Sequence, residues 1–146
     1  MKTEMDYSRH LDIAQEAARA AAEILLRHLG AAEIQFKGDT QNLVTQADLE
    51  AEAAVLDVLR REFPKDDVLG EEGLSQGDIH ADRLWVIDPL DGTTNYAQGI
   101  PQFAVAVGFV ERGRVQVGVV YDPSRDEMFH AVRGRGAMMN SRPIHV

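Results

Sequence analysis

The spacing of apolar residues changes once along this chain, and that change limits the fold more than any other feature of the sequence. Up to residue 62, apolar side chains recur every three or four residues, which predicts amphipathic helices. From Phe103 to Val132 they recur at every second residue and alternate with smaller ones, which predicts strands with one buried face. Helices followed by consecutive strands are typical of an α+β fold. We therefore predict two helices packed on an antiparallel sheet.

Two helices are predicted in the first part of the chain. The first runs from residue 8 to about residue 29, and Gly30 is interpreted as its stop. The second runs over about residues 46–62, where Thr45 is expected to be the N-cap. Between them, residues 34–36 are interpreted as a short strand. The polar residues 37–42 are then interpreted as a loop.

The strands are predicted in the second part of the chain. The apolar run at 84–87 indicates a buried strand. The alternating residues that follow indicate a meander with turns near 112–113 and 122–126. A length of 146 residues suits one domain, since domains most often have about 100–150 residues. We therefore treat residues 1–146 as a single domain.

Composition excludes several classes of function. The formal net charge of −9 repels nucleic-acid phosphates, so we expect no nucleic-acid partner. The chain has no cysteine, which excludes disulfides and thiolate metal sites and is consistent with a reducing compartment. The apolar runs are far shorter than the roughly 20 residues of a membrane span. The first residues also lack the apolar segment of a signal peptide, so we expect a cytoplasmic protein without a membrane partner.

Acidic residues stand at the ends of the predicted elements. They are Asp48, the pair Glu71-Glu72, and Asp88 with Asp91. Asp88 and Asp91 have a proline between them, so we expect them on a turn where both carboxylates face one point. The Leu90 carbonyl lies between them in sequence and offers a third oxygen. Carboxylate, carbonyl and water oxygens are the ligands that Mg²⁺ prefers.

The residues after this acidic turn predict an anion site. Residues 92–95, Gly-Thr-Thr-Asn, are interpreted as the first turn of a short helix, whose backbone N–H groups are free to bind an anion. Gly92 allows the backbone to approach a ligand closely. A metal-binding turn that leads directly into a phosphate-binding helix start indicates phosphoryl transfer.

Each of these residues also has a simpler interpretation. Asp48 lies three residues after Thr45, so it could be the third residue of a capping box. Glu71 and Glu72 could be solvated loop residues. Lys37 is usually no more than a solvated loop lysine, although near a phosphate it could hold that loop closed. The functional interpretation therefore depends on the combination of these residues, since Asp-Pro and Asp-Gly pairs are common in turns.

Three stretches of the chain match a known family. They are residues 44–48 (Val-Thr-Gln-Ala-Asp), residues 70–72 (Gly-Glu-Glu) and residues 85–95. At these positions the sequence resembles the inositol monophosphatase family of lithium-sensitive, Mg²⁺-dependent phosphatases. Residues 88–95 look like the family signature Asp-Pro-x-Asp-Gly-Thr-x-Asn. The resemblance implies that the fold is the N-terminal half of a layered α/β/α/β/α sandwich.

The resemblance also implies a set of metal ligands. Glu71 and Asp88, with the Leu90 carbonyl, would hold a first Mg²⁺ ion. Asp88 and Asp91 would share a second ion, and Glu71 would reach a weaker third ion through waters.

Further roles are implied for neighbouring residues. Thr93 would orient and help to deprotonate the attacking water, and Asp48 would polarise the Thr93 hydroxyl. The amides of Gly92 and Thr93, beside Asp91, would bind the substrate phosphate. Glu72 would support the metal ligands from outside the site.

One departure from the family pattern limits these expectations. Family members are nearly twice as long, and their second half carries a Trp-Asp-x-Ala-Ala motif whose aspartate completes the second metal site. Here Trp85 is the only tryptophan, and Val86 follows it. We therefore expect the chain to correspond to the N-terminal half of such an enzyme and to be weakly active by itself. An apolar sheet face and an unpaired edge would then favour a homodimer or a larger assembly.

The expected reaction is hydrolysis of a phosphate monoester by in-line attack of a metal-activated water. The small phosphorylated substrate would be an inositol monophosphate or a related polyol or sugar phosphate. The sequence leaves 3′-phosphoadenosine 5′-phosphate and fructose bisphosphate open as alternatives, together with a weakly catalytic, cation-binding role. An aspartyl-phosphate phosphatase needs an Asp-x-Asp string, whereas here two residues separate Asp88 from Asp91.

Overall fold

A computed structural model describes residues 6–34, 40–71 and 74–146. The chain begins with two long helices, α1 (Ser8–Ile34) and α2 (Thr40–Glu62). Seven strands and one short helix follow: β1 (Asp67–Gly70), β2 (Arg83–Asp91), α3 (Thr93–Ala97), β3 (Ala104–Glu111), β4 (Arg114–Asp122), β5 (Glu127–Val132), β6 (Ala137–Met139) and β7 (Arg142–Ile144). The predicted helices, buried strand and meander are confirmed.

The seven strands form one sheet in the order of the sequence, from β1 to β7. All neighbours pair antiparallel except β1 and β2, which pair parallel. The helices α1 and α2 pack on one face of this sheet, so the α+β prediction of two helices on a mostly antiparallel sheet is confirmed.

The core lies between the two helices and the sheet. Alanines of α1 bring the helix close to the strands, and Ala14, Ala17 and Ala21 are fully buried. From the sheet, Trp85 and Phe109 fill this space, and the indole Nε1 donates a hydrogen bond of 3.1 Å to Asp66. The buried tryptophan thus has its polar atom paired.

The predictions for the segment between the helices were partly wrong. Helix α1 continues through Gly30 to Ile34, so Gly30 is not its stop and Ile34 is helical rather than extended. One glycine costs about 1 kcal/mol, which does not end a helix in which the strong helix formers Leu29 and Ala31 flank it. Residues 35–39, which include the rest of the predicted strand and much of the predicted loop, lie outside the described residues.

Helix α2 begins at Thr40, six residues before its predicted start. Residues 40–42 are therefore helical rather than part of a loop. Thr45 lies inside the helix and is not its N-cap, so the capping-box interpretation of Asp48 is also wrong. No glycine or proline interrupts the sequence between Thr40 and Glu62, so nothing local ends the helix within this stretch.

Neither long helix of the described residues carries an apolar stretch sufficient to cross a bilayer.

Candidate active site

Parallel pairing of β1 and β2 brings two of the predicted acidic residues together. Gly70, the last residue of β1, lies opposite Ile87 of β2. The next residues along these parallel strands are Glu71 and Asp88, so the register makes them neighbours. Their carboxyl groups share a hydrogen bond. Two residues that are 17 positions apart in sequence thus meet at one end of the sheet.

The electrostatics of Asp88 reflect this crowding. Asp88 is half-buried, and its pKa is raised to about 6, first by this burial. A hydrogen bond that the protonated Asp88 carboxyl donates to Glu71, and the negative charges of Glu71 and Asp91, raise the pKa further. A backbone hydrogen bond of 3.3 Å from the Leu90 N–H to Asp88 Oδ1 acts in the opposite direction. Like charges placed close together favour either a shared proton or a bound cation.

The segment from Asp88 to Asp91 is a strand irregularity rather than the predicted turn. Asp88 lies opposite Ala106 of β3 and Asp91 opposite Ala104, so three steps on β2 match two on β3. Such a bulge bends the strand and redirects its side chains. Pro89, which has no N–H to donate to the ladder, stands inside the bulge. Strand β2 therefore continues to Asp91, whose side chain is exposed, whereas Leu90 is buried.

Helix α3 begins directly after this bulge, as predicted for residues 92–95. Gly92 is its N-cap and has a φ of 93°, a left-handed conformation that favours glycine. A Cβ atom at this position would also lie 3.1 Å from the Gln102 carbonyl oxygen. Thr93, the first helical residue, is exposed. The Asn95 side chain donates a hydrogen bond of 3.0 Å to the Gln102 carbonyl and so ties α3 to the chain that enters β3.

Asp48 approaches the same region from α2. It is 5% exposed, so it is a buried carboxylate on the helix that packs against α3. Burial raises the pKa of Tyr96 on α3, and the charge of Asp48 adds to this effect. The Tyr96 hydroxyl donates a hydrogen bond of 2.7 Å to the Leu25 carbonyl. Asp48 therefore faces the helix that begins with Thr93.

Glu71, Asp88 and Asp91 offer carboxylate oxygens, which are the donors that hard divalent cations prefer. Their negative charges also crowd one another, and a bound cation would compensate for this. In the described part of the chain, however, no three His, Cys, Asp or Glu side chains are grouped so as to hold a metal ion as they stand. The carboxylates would have to turn toward a common point, and the bond between Glu71 and Asp88 would have to open. Glu72 and Lys37, two further predicted site residues, lie outside the described residues.

Sequence reasoning missed Glu52, the other buried acid of α2. Glu52 is fully buried, and its carboxylate accepts hydrogen bonds from Leu74 and Ser75, just beyond Glu71. A signal for it was present, because Glu52 lies one helical turn after Asp48 in the same stripe as the buried Val44 and Val55. An acidic pair inside an apolar stripe indicates buried polar contacts.

Fold and site together define a class: α+β proteins with a carboxylate cluster at one end of the sheet, beside a short helix that begins at a left-handed glycine. The model of the inositol monophosphatase family matches residues 6–146. The chain therefore belongs to the inositol monophosphatase family.

Individual relatives agree with this assignment. An inositol-1-monophosphatase of Synechocystis is 43% identical over 142 residues, which cover 97% of this chain and 50% of that protein. The protein named Nus factor SuhB of Pseudomonas aeruginosa is 42% identical over 140 residues, 93% of this chain and 52% of its own length. A solved inositol monophosphatase structure from Anabaena superposes with a TM-score of 0.83 at 44% identity, covering 97% of this chain and 51% of that one. The chain thus spans about half the length of these relatives.

Proposed function

We propose that the acidic end of the sheet belongs to a site for hydrolysis of small phosphate monoesters, with inositol monophosphate or a related polyol or sugar phosphate as substrate. The observation that supports this most directly is the parallel register of β1 and β2, which places Glu71 beside Asp88. Membership of the inositol monophosphatase family supports the reaction class.

The family is generally metal-dependent, and the proposed ligands here are the carboxylates of Glu71, Asp88 and Asp91 with the Leu90 carbonyl. We propose Mg²⁺ as the metal, with two or three ions in a complete site. A bound Mg²⁺ ion would neutralise phosphate charge and make a coordinated water more acidic. The crowding that raises the pKa of Asp88 indicates that this end of the sheet lacks positive charge, which a cation would supply.

The other proposed roles belong to residues on α2 and α3. The Thr93 hydroxyl orients the attacking water and takes part in its deprotonation, and Glu71 acts on the same water. Asp48 polarises the Thr93 hydroxyl, a role that its buried position facing α3 supports. The backbone amides of Gly92 and Thr93, beside Asp91, bind the substrate phosphate. Gly92 suits this role because glycine has no side chain of its own, so a ligand can approach its backbone closely.

Release of phosphate from inositol 1-phosphate by this chain tests the proposal, with Mg²⁺ titrated and EDTA as control. We expect Mg²⁺-dependent release that Asp88→Asn reduces to the EDTA background, because the substitution removes a charged ligand from the centre of the cluster. Asp57→Asn is the matched control, since Asp57 is an exposed aspartate of α2, and it should leave the rate unchanged.

Three other results would be decisive. Release that persists in EDTA or in the Asp88→Asn variant would contradict the site. Mg²⁺ binding without phosphate release would mean that the cluster holds the metal while hydrolysis needs groups from the other half of the relatives' length. If phosphate is released faster from fructose 1,6-bisphosphate or 3′-phosphoadenosine 5′-phosphate than from inositol 1-phosphate, that ester is the preferred substrate instead of inositol monophosphate.

A further inference from the structure

Glu52 is a carboxylate that the proposed reaction does not use, yet it is fully buried on α2. An ionisable group is rarely enclosed in this way unless its oxygens have hydrogen-bond partners, because removal from water is costly. Both oxygens of Glu52 do have partners. The Leu74 N–H donates to Oε2 at 3.2 Å, and the Ser75 hydroxyl donates to Oε1 at 3.2 Å.

All of these contacts fall on the segment that carries Glu71. Gly70, directly before Glu71, lies so close to the Glu52 carboxylate that a Cβ atom at this position would collide with Oε1. Leu74 and Ser75 stand after Glu71. The Glu52 carboxylate therefore contacts the chain on both sides of Glu71.

The chain before Glu71 and the chain after it are also joined to each other by backbone contacts. The Gly70 N–H donates a hydrogen bond of 3.2 Å to the Ser75 carbonyl, and Leu69 forms an antiparallel bridge with Gln76. The backbone contacts thus hold the two ends of the segment together, and Glu52 ties those ends to α2. The exposed Glu71 stands between them, where it hydrogen-bonds Asp88.

From these contacts we infer that Glu52 is a positioning residue: its buried carboxylate fixes where Glu71 stands relative to Asp88 and thereby sets the affinity of the cluster for a divalent cation. The second part of this inference rests on the proposed function, whereas the first part concerns the chain alone. Residues that orient metal ligands from outside typically change metal affinity ten- to a hundredfold when they are replaced.

The experiment compares Glu52→Gln with Glu50→Gln in this chain. Glu50 is a matched control because it lies on the same helix but pairs with His28, with 2.6 Å between His28 Nε2 and its Oε2. Mn²⁺ binding is measured by calorimetry and folding by thermal unfolding. NMR of the side-chain carboxyl carbons of Glu71 and Asp88 reports their surroundings without metal. We expect Glu52→Gln to weaken Mn²⁺ binding by about tenfold or more and to shift both carboxyl signals. Glu50→Gln should do neither.

A folded Glu52→Gln variant with wild-type Mn²⁺ affinity and unchanged carboxyl signals would overturn the inference. If that variant does not fold, Ser75→Ala removes only one of the two bonds and should shift the same signals with a smaller loss of affinity. Unchanged signals and affinity in folded Ser75→Ala would then overturn it. If the wild-type chain binds no Mn²⁺, the metal site fails, and the carboxyl signals alone decide whether Glu52 positions Glu71.

Discussion

The two faces of the sheet differ in what their residues contact. Helices α1 and α2 cover one face, where large side chains such as Trp85, Val105 and Phe109 are fully buried. On the opposite face, Val86 and Val120 are 41% and 44% exposed, and no helix among the described residues packs there. A one-sided antiparallel sheet usually turns polar residues to water. This face instead carries small and apolar ones.

The small residues of this open face lie side by side across the strands. Gly108 of β3 pairs with Gly118 of β4, and Gly118 pairs with Ala131 of β5. Without bulky side chains, the backbone there is accessible to another layer of protein. The covered face thus supplies the stability of this chain, whereas the open face is suited to contact. The predictions below test this difference.

The largest effect is expected on the covered face. Phe109→Ala should lower the free energy of unfolding by about 3–5 kcal/mol, because it leaves a cavity among tightly packed rings. Val110→Ala is the control, since Val110 is next to Phe109 in β3 but is only partly buried and points to the other face. Denaturant unfolding measures the free energy of unfolding of both variants. Equal losses would show that the two faces contribute equally to the stability of the chain.

A pH effect is expected from His10, which lies on the covered side between Phe63 and Phe109, with ring centroids 4.6 and 4.4 Å away. Its Nδ1 is buried and has no hydrogen-bond partner among the described residues. Burial lowers the pKa of His10, against the raising charges of Asp66 and Glu111 and together with the lowering charges of Arg9 and Arg83.

The sign of the effect follows from this lowered pKa. Above the ordinary histidine pKa of about 6.5, His10 is unprotonated in both the folded and the unfolded chain. The contribution of its packing to the free energy of unfolding is then fully present. As the pH falls below that value, the unfolded chain takes up a proton that the folded chain excludes, and stability decreases. His10→Phe should flatten the dependence of unfolding free energy on pH between about 7 and 5, whereas His145→Phe, at an exposed position, should not. An unchanged slope in His10→Phe would contradict this assignment.

The smallest effect on stability is expected on the open face, where self-association is the proposed consequence of its apolar character. Val120→Lys should change the unfolding free energy by no more than about 0.5 kcal/mol, because the side chain is exposed. In light scattering, the wild-type chain should have at least about twice the monomer mass of 16.2 kDa, and Val120→Lys should shift it toward the monomer. A wild-type monomer at all concentrations would rule out this association.

Local sequence signals predicted the elements of the fold because they depend on neighbouring residues. Helical spacing in α1, alternation in β3 and β4, and glycine before Thr93 each act within a few positions of the chain. The boundaries around residues 30–45 were wrong for the same reason: Gly30 and Thr45 look like a stop and a cap when only their neighbours are considered. The turn expected at residues 88–91 likewise became a bulge, because pairing with β3 continues to Asp91.

The sequence by itself determined the two helices, the meander and the acidic residues from which the proposed site is built. Only the tertiary structure decided how those acids meet. The parallel pairing of β1 with β2 places Glu71 beside Asp88, and the packing of α2 under Gly70 encloses Glu52. The physical reason is the sequence separation over which each signal acts. Helix and strand patterns are set by residues a few positions apart. A parallel register joins segments that are distant in sequence, and the residues of neither segment specify which other segment it pairs with.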